Sequence, residues 1–126
     1  MKTRIAVLFL ATLALLVVAP AGASAKTATT SVKVNSYLLG FFHGNVRYSD
    51  KACRAKRKVT LYTVPKDPTN QPYLVGSDKT TKKGKFTIND SHGLGGDYQA
   101  SVNARTVHAK GKTITCESAL SPIFSR

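Results

Sequence analysis

After residue 25 the chain has no window in which apolar residues recur at helical spacing, no internal repeat and no low-complexity tract. The missing helical period leaves strands as the building unit and argues against a helix-containing layer. Cysteine is nearly absent, with only Cys53 and Cys116. Acidic residues number six, against nineteen lysines and arginines, for a formal net charge of +13. No cysteine lies near the small-residue stretch Ala23-Ser24-Ala25, so lipid attachment is not indicated there.

That stretch closes an export signal. Lys2 and Arg4 give a basic start, Ile5 to Ala19 is an uncharged apolar run, and Ala-Ser-Ala suits a narrow peptidase pocket. An uncleaved membrane anchor is the alternative, but a spanning helix needs roughly 20 apolar residues and Pro20 and Gly22 interrupt this run. Residues 1–25 are therefore expected to be a signal peptide, with a secreted product that has no membrane span after cleavage.

The remaining chain is the size of one domain with a thin core. Two cysteines in an exported protein read as one disulfide. Two free thiols or a metal pair are the alternative, against which no cysteine or histidine sits at ligand spacing beside either one. A Cys53–Cys116 bridge would restrict the long loop between them, a stabilisation of about 4 kcal/mol by chain-entropy arithmetic. Without Lys2 and Arg4 the net charge is still about +11. Such a surface attracts nucleic acid, anionic cell-wall polymers, acidic polysaccharide or anionic lipid head groups. The bland alternative is a soluble surface with no specific partner.

Period-two alternation is the dominant local pattern. Lys26 to Ser31 reads as a polar leader, followed by Val32, Val34, Ser36 and Leu38 as an uncertain first strand. Phe42, Gly44, Val46 and Tyr48 then alternate with His43, Asn45 and Arg47. The stretch from Cys53 to Val64 carries the basic cluster Arg54, Lys56, Arg57 and Lys58, then a strand with Val59 and Leu61 on one face and Thr60 and Tyr62 on the other. Pro65, Pro68 and Pro72 make a loop, because each removes a backbone donor and fixes φ. Gly76 is a candidate bulge or close-approach position in the next strand. Gly84 supplies the positive φ of a tight turn flanked by Lys82, Lys83 and Lys85, before Phe86 and Ile88. Tyr98, Ala100 and Val102 follow a glycine-rich loop and continue weakly through Ala104 and Thr106. A turn at Lys110-Gly111 precedes the Cys116 strand, and Ile123-Phe124 offers a last short pairing.

The order of these features, Gly44-x-Val46, Val59-x-Leu61-Tyr62, Gly76 to Thr80, Gly84-x-Phe86-x-Ile88 and Gly96-x-Tyr98-x-Ala100-x-Val102, resembles the prealbumin-like sandwich of transthyretin-like proteins and carboxypeptidase regulatory-like domains. The resemblance covers roughly residues 42–102. It implies an all-β, antiparallel, seven-stranded prealbumin-like (Ig-like) sandwich with one disulfide. It also implies a binding or spacing module and no enzyme, an inference from fold by analogy. The expected division is a signal peptide over 1–25, a leader or uncertain first strand over 26–40, and the sandwich domain over 41–126.

Three sites deserve weighing. The clusters Arg54, Lys56, Arg57, Lys58 and Lys79, Lys82, Lys83, Lys85 would form one patch for phosphate or sulfate groups if they share an end. A solvated charged surface is the bland alternative. Nucleic acid is less favoured, since the aromatics fall mostly at inward-facing positions and do not interleave with the cations. The loop Asn89, Asp90, Ser91, His92, Asp97 offers oxygen ligands but matches no standard calcium loop, no G-x-S-x-G surrounds Ser91, and Asn89-Asp90-Ser91 is a formal glycosylation sequon. Within the same fold, 5-hydroxyisourate hydrolase ends in Y-R-G-S. Leu120-Ser121-Pro122 is similar to the segment before that ending, but this chain finishes Phe124-Ser125-Arg126, and His43, His92 and His108 match no catalytic position. The expectation is a secreted non-catalytic module without cofactor or metal, engaging an anionic polymer or acidic protein; a structural accessory module is the alternative.

Overall fold

A computed structural model describes residues 24–126. The expected signal peptide lies outside these residues except for its last two positions.

Eleven strands follow one another in the described residues: β1 (Ser24–Ala28), β2 (Thr30–Leu38), β3 (Phe41–Tyr48), β4 (Lys58–Thr63), β5 (Leu74–Lys79), β6 (Lys85–Asn89), β7 (Asp97–Val102), β8 (Arg105–Ala109), β9 (Lys112–Cys116), β10 (Ala119–Leu120) and β11 (Phe124–Ser125). A single 3-10 turn over Lys51–Cys53 interrupts them, opened by the Asp50 carboxylate, which accepts a hydrogen bond from the Ala52 N–H at 2.9 Å. One sheet has the order β2-β3-β6. The second has the order β10-β7-β4-β5, with β11 also on β7. The third has the order β1-β9-β8, and its β1–β9 pairing is parallel.

The first two sheets face each other because each has one apolar face. Val32, Phe42, Val46, Phe86 and Ile88 come from one, and Val59, Leu61, Val75, Tyr98, Ala100 and Val102 from the other; all are buried in one core. Gly44 stands opposite Phe86 in register, and the Phe86 ring occupies the space that a Cβ at Gly44 would need. That close fit is the physical content of the G-x-V and G-x-F motifs. The rings of Phe42 and Tyr98 lie 5.0 Å apart, and Phe124 packs on both at 5.8 Å. Gly76 sits where β5 bulges against β4, and a Cβ there would meet Ile88 at 3.0 Å.

A second, smaller core of Ala28, Cys53, Ile114 and Cys116 joins the third sheet to the 3-10 turn. Cys53 and Cys116 are bonded, their Cα atoms 5.6 Å apart, and both are fully buried.

Several details differ from the sequence reading. The strands exceed seven: β1 and β8 are strands of their own in the third sheet and β10, at two residues, is too short for a periodicity to register, whereas the last short pairing expected at Ile123-Phe124 is present as β11 on β7. Lys26 to Ser31 is not a frayed leader, because β1 pairs with β9 and Ala28 is buried under the disulfide. The alternation after Val102 does not continue; the chain breaks at Asn103 and Ala104 and enters the third sheet as β8. No family-specific sandwich type follows from these features alone.

Candidate functional site

The strands run alternately between two ends of the facing sheets. One end collects the segment before β4 and the β5–β6 turn, so the two basic clusters meet there. Thr80, buried between them, is the clasp. Its hydroxyl donates to the Arg54 carbonyl at 2.7 Å and accepts from the Arg57 N–H at 2.8 Å. The Thr80 N–H donates to the Arg57 carbonyl at 2.9 Å, and the Lys56 N–H donates to the Thr80 carbonyl at 2.9 Å. The turn itself is held by Gly84, whose φ is +77°, and by the Val46 N–H donating to the Gly84 carbonyl at 2.8 Å.

Of the eight cations expected to form the patch, Lys56, Lys58, Lys79, Lys82, Lys83 and Lys85 are exposed and Arg54 is half-buried. Arg54 lies over the Tyr48 ring at 4.8 Å, and its Nε is buried with no hydrogen-bond partner among the described residues. Lys58 stands directly opposite Lys79 in the β4–β5 ladder. Like charges across a ladder repel. Neither lysine has a carboxylate within ion-pair distance among the described residues, whose ion pairs are Lys26–Asp50 and Arg126–Asp90. The nearby Asp78 carboxylate is occupied by the N–H groups of Lys79 and Thr87.

Arg57 is a different case, and it leaves the patch. Its side chain is 1 % exposed, and its guanidinium donates to the carbonyls of Cys53 at 3.1 Å, Asn103 at 2.9 Å and Glu117 at 3.0 Å. Burial, and secondarily the Arg105 cation, push its pKa below the ordinary arginine value. Arg57 is a structural cation that ties the loop ends of all three layers together, and it presents nothing to a polymer. The signal was present in the sequence: Arg57 has the parity of inward-facing Val59 and Leu61, whereas Lys56 and Lys58 share the outward parity of Thr60.

The outward face of the second sheet continues from this basic rung. Next to the Lys58–Lys79 rung lies Ser77–Thr60–Ser101–Leu120, and beyond it Tyr62 pairs with Gln99. Over Tyr62 the proline loop turns back and leaves an open depression of about 480 Å³, lined among others by Tyr62, Pro65, Gln71, Pro72, Gln99 and Leu120. Tyr62 is exposed, as are Tyr37, Phe41 and Tyr73, so the aromatics are less uniformly inward than their alternation implied.

The glycine-rich loop lies at the opposite end. Asp90 is half-buried there with its side chain out of solvent, and its carboxylate accepts from the Gly93 N–H at 2.9 Å, the Tyr37 hydroxyl at 3.1 Å and the Arg126 guanidinium. Burial pushes its pKa up, but these donors more than offset that and hold it below the usual carboxylate value. Asp97 is separately engaged by the Ser125 hydroxyl. No group of three or more His, Cys, Asp or Glu side chains converges on a metal-sized site among the described residues. The three histidines are dispersed: His43 faces Thr87, His108 faces Thr113, and His92 lies 5.0 Å from the Tyr73 ring. No helix among the described residues is long and apolar enough to cross a membrane.

The class these features define is a small, basic, disulfide-linked all-β protein with two facing sheets. No protein-family model matches the chain, and no curated protein matches it in sequence.

Proposed function

We propose that this protein is a secreted, non-catalytic module that binds anionic polymers through its basic end. The observation that carries this reading is the Lys58–Lys79 rung, two uncompensated cations fixed opposite each other and flanked by Lys56, Lys82, Lys83 and Lys85. Native ladders place opposite charges or neutral pairs at such positions, and a bound phosphate, sulfate or carboxylate would relieve the repulsion. The buried disulfide supports an oxidising compartment, in keeping with the export signal. The Gly44–Phe86 fit and the Thr80–Gly84 turn support a prealbumin-like arrangement, a fold used mainly for binding or spacing.

Binding of polyphosphate at low salt, falling steeply as salt rises, is the expected behaviour. Lys58→Glu combined with Lys79→Glu should weaken it by about tenfold or more and reduce the slope of log affinity against log salt by about 2. Equal retention of the variant and the parent, at low and high salt alike, would remove the reading.

A further inference from the structure

The second sheet carries two surfaces that sequence order keeps apart and strand register brings into line. Lys58, Thr60 and Tyr62 alternate outward along β4. Lys79 and Ser77 stand beside the first two on β5, and Ser101 and Gln99 beside the last two on β7. Four residues of strand separate Lys58 from Tyr62, a span of about 13 Å. The cationic rung therefore leads, through a rung of hydroxyls, onto an exposed aromatic ring at the floor of an open depression.

The chemistry of that depression is specific. Tyr62 contributes a flat apolar face, Pro65, Pro72 and Leu120 contribute apolar walls, and Gln71, Gln99 and Ser101 contribute amide and hydroxyl groups. The Gln99 amide nitrogen is fixed by donating to the Ser121 carbonyl at 2.9 Å, which positions the rest of its side chain on the outer face. A ligand unit suited to this site has one apolar face and a rim of hydroxyls. A sugar ring has both. A chain of such rings bearing carboxylate or sulfate groups would satisfy the lysine rung a few rings further on. An inorganic polyphosphate satisfies only the rung. A nucleic acid strand could stack a base on Tyr62, but repeated stacking calls for successive aromatic platforms, and Tyr62 is the one aromatic on these three rungs.

We propose that Tyr62 is the stacking platform for a sugar ring of an acidic polysaccharide whose anionic groups are held by Lys58 and Lys79. The inference rests on the polyanion reading and narrows its ligand class. Recognition then has two parts of different physical kind: a salt-sensitive part at the lysines and a salt-resistant part at the ring.

The test compares heparin, polyphosphate and oligo-dT on the folded protein and on Tyr62→Ala, Tyr62→Phe and the Lys58→Gln, Lys79→Gln pair. Because Tyr62 is exposed, matched melting curves establish that Tyr62→Ala retains the fold. Tyr62→Ala should lower heparin affinity about tenfold, a loss comparable to removing one stacked aromatic, and leave polyphosphate affinity unchanged. Tyr62→Phe should restore heparin binding, and the lysine pair should weaken both ligands. A Tyr62→Ala protein that binds heparin as tightly as the parent overturns the inference and leaves the polyanion reading standing. A loss confined to oligo-dT replaces the polysaccharide with nucleic acid. Should heparin and polyphosphate both fail to bind the parent protein at low salt, the broader reading falls with it.

Discussion

Where β4 and β6 begin, the chain is dense with cations, its turns are pinned by buried hydrogen bonds, and a disulfide lies underneath. Where β2 meets β3 at the far end, Leu39 is 87 % exposed and, with Gly40, has positive φ, while Leu38, Leu94 and Tyr73 are also exposed. The basic end is held by one buried cation and many carbonyls; the apolar end is held by one buried carboxylate and a few donors. Arg57 and Asp90 thus play mirrored parts. A buried arginine held by three carbonyls and the Thr30 hydroxyl keeps its charge uncompensated and contributes through donor number, whereas the buried Asp90 carboxylate is neutralised by Arg126 in the C-terminal segment. The two ends thus differ in kind: neutral acceptors hold the buried guanidinium at the basic end, and an ion pair holds the buried carboxylate at the other.

Breaking the covalent half of the basic end has the largest expected effect. Replacing Cys53 and Cys116 together by Ser should lower stability by about 4 kcal/mol, read as the denaturant midpoint at constant slope. The loss should appear first as exchange of the β1, β8 and β9 amides, since those strands surround the smaller core. Uniform loosening of both ends would erase the contrast drawn between them. Arg57→Met comes next. It leaves the Cys53, Asn103 and Glu117 carbonyls without this donor and should cost about 3 kcal/mol, measured in the same way. An unchanged midpoint would show that Arg57 does not tie these segments together.

The smallest effect belongs to the far end and depends on pH. Asp90 has a lowered folded-state pKa, so its contribution is present above its unfolded value of about 3.9 and is lost as pH falls through the folded value. The melting midpoint of the parent should exceed that of Asp90→Asn by a few degrees near neutrality, with the gap closing below about pH 4. A gap that persists into acid would mean that the hydrogen-bond geometry matters and the charge does not.

Much of the central body was legible from period-two patterning. Phe42, Val46, Val59, Leu61, Phe86, Ile88, Tyr98, Ala100 and Val102 alternate inward as the sequence implies, and the turns at Gly84 and Lys110-Gly111 have the positive φ that their composition demands. The cysteine pairing was legible from scarcity. What escaped was long-range. The parallel pairing of β1 with β9 has no local signature, because Lys26 to Ser31 is polar and becomes a strand only through its partner. Two-residue strands such as β10 carry too few positions for a period. In sequence Arg57 looks like a surface residue because charge outweighs parity in a basic run; its burial depends on several acceptors converging on it from distant segments. The depression over Tyr62 depends on a proline loop folding back across neighbouring strands, a matter of tertiary path that no spacing encodes.

The position of Ala28 sets a limit on how the front of the chain can be trimmed. A cut after Ala25 keeps Lys26 on Asp50 and Ala28 against the two sulfurs. A cut three residues later removes both, uncovers the bridge, and leaves one side of β9 without a neighbour. Keeping the front of β1 and keeping the disulfide sealed are thus the same requirement, seen from opposite ends of the sequence.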